Sequence, residues 1–203
     1  MPIAKGEDWG WSGLLPDEAP VAATDAEAAS MIAQGGAATA SPATIGIAGG
    51  DMARTLGVRT PYDRTTPKHI VPVDAVSVEL GDGTTHVAMA HVVPGDLRRD
   101  RLGFALMNAA FLGSRNIAPR SHPGDGKIDV VRMDLGLSDR LKAWKRMVTG
   151  THVPHPGITI RRRSDGVIEL DRPRLIRVDG QPVGRSAQVR FHVIPAAIRV
   201  AVS

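Results

Sequence analysis

Residues 108–130, NAAFLGSRNIAPRSHPGDGKIDV, decide the fold. The apolar run 107–112 breaks at Gly113, which predicts a buried strand running into a tight turn. Pro119 holds Ala118 extended, because the residue before a proline is kept out of the helical region. Pro123-Gly124-Asp125-Gly126 then offers two glycines for positive φ beside a free carboxylate. The run 128–133, Ile-Asp-Val-Val-Arg-Met, resumes a strand.

Around this stretch the texture is β. Residues 71–80 and 85–93 flank Gly81-Asp82-Gly83 and predict an antiparallel hairpin that turns at Asp82-Gly83. Gly81-Asp82-Gly83-Thr84 imitates a glycine-rich nucleotide loop, but no helix follows it, so its N–H groups belong to the hairpin. One helix interrupts the β region. Ser138 is expected to cap it, Leu137, Leu141, Trp144 and Val148 to line one face, and Gly150 to stop it. Further turns are predicted at Asp165-Gly166, Asp179-Gly180 and Val183-Gly184.

The first third reads differently. Residues 1–20 show no period and are expected to form an arm whose Trp9 and Trp11 pack on the body. Residues 21–23 are a short strand, Thr24 or Asp25 caps a helix over 26–34 ended by Gly35-Gly36, and 37–43 is a small-residue linker. Residues 45–48 form a second buried strand, Gly49-Gly50 its turn, and 51–56 a helix closed by Gly57. This β-α-β-α order favours parallel strands with helical crossovers. With the boundary near residue 66, the fold class is α+β. A small truncated α/β part with parallel strands spans 1–66, and a larger antiparallel β-sandwich-like domain with one main helix spans 67–203. A two-strand fragment cannot cover both its faces, so it is expected to lean on the β domain or on a second subunit, as in a homo-oligomer.

The 203-residue chain has no cysteine, hence neither disulfides nor a thiolate nucleophile. The start MPIAKGEDWGWSG lacks the basic-then-apolar order of a secretory signal, and no apolar run approaches the roughly 20 residues of a membrane span. A cytoplasmic protein is expected. The net charge is +4, and Arg161, Arg162, Arg163, Arg172, Arg174, Arg177, Arg185, Arg190 and Arg199 crowd the last third. That bias suits a solvated strand face, or else contact with anionic headgroups or nucleotide phosphates. Aromatic residues at 3% leave no stacking platform for single strands, so no nucleic-acid partner is expected.

The order of motifs in 108–130 resembles that of bacterial diacylglycerol kinases and sphingosine-kinase-like lipid kinases, which carry an asparagine, a glycine-rich turn, Ala-Pro and Asp-Asp-Gly-x-x-Asp. Gly150-Thr151-His152, His155-Pro156, Arg174-Leu175-Ile176-Arg177-Val178-Asp179-Gly180 and Val193-Ile194-Pro195-Ala196-Ala197-Ile198 continue the likeness. It implies membership of the NAD-kinase and diacylglycerol-kinase superfamily, with ATP and Mg²⁺ as cofactors and a lipid hydroxyl as acceptor. The segment 47–57, IAGGDMARTLG, is similar to the family's Gly-Thr-x-Asn-Asp-x-Ala-Arg-x-Leu-Gly, matching at Asp51, Arg54 and Gly57. By this resemblance Asp25, Gly49, Gly50 and Asp51 are candidates for nucleotide binding. Asp179 and Gln181, where the family reads Asp-Gly-Glu, are the catalytic candidates, and Asp125 is the candidate Mg²⁺ ligand. His152 is expected to bond backbone.

The departures matter for function. Ala23 and Ala26 stand where the first nucleotide motif has glycines, and a Cβ there obstructs close approach of a phosphate. Gln181 can orient a hydroxyl but cannot take its proton. The leading expectation is a degenerate lipid-kinase relative with a weak or lost ATP site, acting as a ligand-binding or interaction protein. The alternatives are an active Mg-ATP-dependent lipid kinase with Asp179 as base, and an adaptor peripheral to an anionic membrane surface.

Overall fold

Apolar runs rich in Val and Ile, punctuated by glycine turns, become long strands here. The computed structural model describes residues 8–35, 42–58 and 63–202. Its elements begin with β1 (Trp11–Gly13), β2 (Val21–Ala22), α1 (Asp25–Gly35), β3 (Thr44–Ile47), α2 (Gly50–Thr55), β4 (Lys68–Leu80), β5 (Thr85–Ala88) and β6 (His91–Pro94). They continue with β7 (Leu102–Met107), β8 (Phe111–Leu112), β9 (Arg115–Asn116), β10 (Ile128–Asp134), α3 (Leu137–Arg146), β11 (Ile158–Arg163), β12 (Asp165–Val178) and β13 (Gln181–Val202). The main path of the large sheet runs β1-β4-β13-β12-β6-β7-β10-β11. Nearly all its pairings are antiparallel, and β8–β9 forms a separate two-stranded sheet. The expected hairpin is present over 76–88, with Glu79 opposite Thr85 and Val76 opposite Ala88, but the arm expected to run on to Val93 leaves β4 after Ala88, where β6 turns away to pair with β12 and β7. Thr84 N–H donates to the Asp82 carboxylate in the turn.

β13 is the spine of the sheet. It pairs with β12 along one edge and β4 along the other, and its end takes β3 in parallel, with Arg199 opposite Thr44. β2 pairs with β3 in parallel. The two N-terminal strands therefore continue the sheet of the β-rich part. The strand survives this length because its ladder with β4 shifts register between Ile194 and Ile198, where Ala196 takes φ +49. Asp74 holds that bulge: one carboxylate oxygen accepts Ala196 N–H at 2.8 Å and the other Gly126 N–H at 2.7 Å. Burial raises the Asp74 pKa against these two donors.

The run 107–112 is not one strand. β7 ends at Met107, and Asn108, only 1% exposed, turns its amide inward to donate to the Asp74 and Met89 carbonyls, both at 2.8 Å. The chain then bends to β8, and Gly113 at φ +59 makes the β8–β9 turn. Of the three later turns, only Asp179-Gly180 closes a two-residue hairpin, with Val178 opposite Gln181. Asp165 and Gly166 already pair with β13, and Val183-Gly184 lies inside β13 beside a register shift. Local turn propensity yielded at both places to cross-strand pairing.

The helix α3 corrects a second expectation. Gly136, not Ser138, is its N-cap, and Ala143 and Met147 face the core under β7 and β10. Leu137, Leu141 and Val148 are exposed, so the buried stripe is rotated about one residue from the most apolar one. Trp144 is shared, half-buried beneath the Arg115 guanidinium at 4.1 Å. We expect Met147→Ala to cost roughly 2–4 kcal/mol, and Leu141→Ala to stay within about 0.5 kcal/mol of the parent in urea unfolding. Equal losses at the two positions would show that the helix packs the other way round.

Candidate functional site

The residues singled out near the N-terminus converge at the start of α2. Thr24 takes the capping role for α1, its Oγ1 accepting Glu27 N–H at 3.2 Å while the Glu27 carboxylate accepts Ala23 N–H at 2.7 Å. Asp25 is thereby released from its own helix. Its carboxylate crosses to α2 and accepts Asp51 N–H at 2.6 Å and Met52 N–H at 3.0 Å. Both glycines of Gly49-Gly50 serve this contact. A Cβ on Gly50 would come within 2.4 Å of the Asp25 carboxylate, and one on Gly49 within 2.4 Å of the Ala23 carbonyl oxygen. Gly50 also takes φ +94, where a side chain is strained.

Asp51 faces the β-rich part. Its Oδ2 accepts Gly113 N–H at 2.9 Å and lies 3.0 Å from His91 Nε2. Arg54 donates to the Gly113 carbonyl at 2.7 Å and lies over Phe111, and Thr55 Oγ1 accepts Ala110 N–H. These α2 residues thus clamp residues 110–113, the turn region of the stretch that named the fold. Burial opposes ionisation of Asp51. The hydrogen bonds from His91 and Gly113, with the charges of His91 and Arg54, outweigh it and hold the carboxyl below its usual range. His91 mirrors this: burial disfavours its cation, but Asp51, Asp179 and Asp25 raise its pKa.

Asp179 comes to the same place from the β12–β13 turn, at φ +48. Its carboxylate accepts three successive N–H groups, Met89 at 2.7 Å, Ala90 at 2.8 Å and His91 at 2.9 Å. Burial raises its pKa, against the His91 charge and these donors. Gln181 is exposed and, with Asp179, lines a shallow cleft of about 210 Å³ against Ala29 and Ala33 of α1.

Residues 80–202 match the family of the YegS C-terminal NAD kinase beta sandwich-like domain. The chain belongs to that family. Three solved structures from Bacillus anthracis str. Sterne, described as diacylglycerol kinases, two of them provisionally, share its fold. The first has a TM-score of 0.66 at 14% identity and covers 91% of this chain and 77% of its own. The others score 0.61 and 0.58, each at 14% identity over 79% of this chain and over 70% and 67% of theirs. At that identity the likeness establishes the fold. No curated protein matches the chain.

In this member of the YegS C-terminal domain family, Asp125 lies away from the cluster. It pairs with Arg162, and its Oδ1 accepts Lys127 N–H at 3.0 Å. Among the described residues, the one group of three side chains able to converge on a metal ion is Asp25, Asp51 and His91, whose ligand atoms lie within 4.8 Å of one another. Backbone N–H groups hold both Asp25 oxygens and Asp51 Oδ2 is shared between Gly113 N–H and His91 Nε2, so a cation would compete with those bonds, while His91 Nδ1 is buried with no partner among the described residues. His152 is buried, and its Nε2 meets the Ile117 carbonyl at 3.0 Å, as expected. No described helix is long and apolar enough to cross a membrane. The functional reading of the sequence passed over His91, Asp74 and Asn108. An acid inside the apolar run Val71-Pro72-Val73-Asp74-Ala75-Val76 was the available signal, since a charge is buried only where donors meet it.

Two buried acids, Asp25 in the cluster and Asp129 beside Arg162, carry a pH signature. Burial lifts Asp25 to about 6, against the Asp51 and Met52 N–H groups, and burial likewise lifts Asp129 to about 6. Each folded-state pKa lies above the unfolded value, so the stability it contributes is present at low pH and is lost as pH rises through about 6. The raised His91 acts with the same sign, and depressed Asp51 opposes only at more acidic pH. Between pH 8 and 5.5 the chain should gain roughly 1 kcal/mol from each of the two acids, and its Tm should rise by a few degrees. Scanning calorimetry of the parent and of Asp25→Asn/Asp129→Asn checks this. A Tm that falls over that range, or a double variant with the parent's slope, would contradict it.

Proposed function

We propose that this chain is a lipid-kinase-family protein whose nucleotide motif has become a structural joint, and that it works by binding a ligand in its β-rich part. One observation carries the reading: the Asp25 carboxylate occupies the N-terminus of α2. In a nucleotide site that position, with its N–H groups and glycine surfaces, would face a phosphate. Here a second anion would meet Asp25 at hydrogen-bond range, and like charges so close repel. The residues as folded therefore do not fit Mg-ATP. On this reading the parallel strands β2 and β3 with α1 and α2 are the remnant of a nucleotide domain. They are retained because Asp51 and Arg54 brace the turn at Gly113, Asp25 holds the start of α2 that carries them, and Asp179 braces the β5–β6 link. Asp179 then orders backbone and is not available to receive a lipid hydroxyl's proton.

Calorimetric titration with Mg-ATP, followed by a phosphate-transfer assay on diacylglycerol, tests this. We expect no saturable heat at millimolar nucleotide and no labelled lipid. Saturable binding accompanied by transfer to diacylglycerol would replace this reading with the active kinase.

A further inference from the structure

Strand alternation divides Arg161-Arg162-Arg163 between two faces of β11. Arg162 pairs with Asp125, and its Nε lies 3.9 Å from the Asp129 carboxylate. Arg161 and Arg163 stand on the other face with Thr159, across from Val130 and Ile128 of β10. Among the described residues no acid pairs with either. Arg132, opposite Thr159, reaches only Asp134 at 3.4 Å, with both side chains about half exposed.

These three guanidinium groups rim a cavity of about 510 Å³ whose floor is Phe104, Val130, Ile168 and Phe191. The opening follows from the topology. Among the described residues, β11 pairs with β10 alone, and residues 165–169 of β12 pair with β13 alone. The two strands separate from Ser164 with their outer edges unpaired, so the sheet does not close and the core between its halves stays accessible. Gly166 makes room for the floor, since a Cβ there would come within 3.0 Å of the Phe191 ring. Asp165 is the one acid on the rim, and it accepts Ser164 Oγ–H at 2.7 Å. Arg161 and Arg163, with no acid partner among the described residues, and Arg132, shared with Asp134, outnumber the rim's Asp165 above an apolar floor and define a ligand with a negative end and a hydrocarbon body.

We propose that this seam binds an anionic amphiphile. A single acyl chain lies along Phe104, Val130, Ile168 and Phe191, and its phosphate or carboxylate head is held by Arg132, Arg161 and Arg163. The volume lies within the roughly 300–1,000 Å³ of small-molecule sites, and guanidinium groups match both heads by paired N–H donation. The proposal rests on the reading that ligand binding belongs to the β-rich part.

The test is calorimetric titration of the full chain with dodecyl phosphate and with dodecanoate below their micelle concentrations. Inorganic phosphate serves as the head alone and dodecyltrimethylammonium as the wrong charge. Saturable one-to-one binding of at least one anionic amphiphile is expected, with both controls weaker by roughly tenfold or more. Preference for the phosphate points to a phospholipid source, and preference for the carboxylate to a fatty acid. Arg161→Glu/Arg163→Glu should weaken binding by roughly tenfold or more, while Arg172→Glu/Arg190→Glu, the same charge change elsewhere on the surface, should leave it within about threefold. All four positions are exposed, so both variants should unfold like the parent. Equal binding of the cationic amphiphile, equal losses in the two variants, or attachment to anionic vesicles without binding of monomeric amphiphile would each overturn the seam. Binding of Mg-ATP with transfer to diacylglycerol would remove the proposed function and leave the amphiphile result standing. Absence of amphiphile binding would remove the seam and leave the nucleotide joint untouched.

Discussion

Asp179→Ala should lower the unfolding free energy by roughly 3–5 kcal/mol and Tm by roughly 10 °C. The carboxylate accepts N–H groups from Met89, Ala90 and His91, and its own N–H donates to the His91 carbonyl at 3.0 Å. Truncation leaves three donors without a partner where β5 passes into β6, each costing roughly 1–3 kcal/mol if it stays dry. Alanine also pays for φ +48, which aspartate and asparagine tolerate better. Partial relaxation and water entry keep the total below the simple sum. Asp179→Asn keeps the backbone preference and one acceptor oxygen but turns an amide N–H₂ toward a donor, so about half the loss is expected. Urea unfolding of both variants decides the matter. If Asp179→Asn unfolds like the parent, the carboxylate is not holding this turn and is free for chemistry.

Asn108→Asp is the second large effect, expected at roughly 3–5 kcal/mol at neutral pH. The amide donates to the carbonyls of Asp74 and Met89 at a position with almost no solvent contact. An ionised carboxylate would put negative charge against two carbonyl oxygens. It would titrate well above the ordinary range for aspartate, so the stability tied to its protonated form would be lost as pH rises through that folded-state pKa. Asn108→Ala, which leaves two carbonyls unpaired but buries no charge, should cost about 2 kcal/mol and show no added pH dependence. Thermal unfolding of the two variants at pH 5 and pH 7.5 separates the terms. An aspartate variant as stable as the alanine variant at pH 7.5 would mean that water reaches this site.

Much of the β architecture was legible because alternation and glycine turns are local. The 76–88 hairpin, the strand at 128–133 and the Asp179-Gly180 turn all declare themselves within ten or so residues. The face of α3 did not, because Leu137, Leu141 and Val148 are the more apolar stripe while the space beneath β7 and β10 receives Ala143 and Met147. Tertiary volume overrode the amphipathic pattern. Thr24 and Asp25 were equal candidates for a helix cap. Only the arrival of α2 beside β2 showed that Thr24 caps and that Asp25 spans to another helix.

By itself the sequence determined the family and the predominantly antiparallel sheet, because short motifs in a fixed order and strand periodicity are carried by neighbouring residues. It also brought the residues of the nucleotide motif to notice. What those residues are bonded to was decided only in three dimensions. Asp25 meets α2 across 26 residues, Asp51 meets His91 across 40, and Asp179 meets Met89 across 90. Hydrogen-bond partners so far apart leave no periodic trace in the chain, yet they distinguish a carboxylate that serves a ligand from one that holds the protein's own backbone.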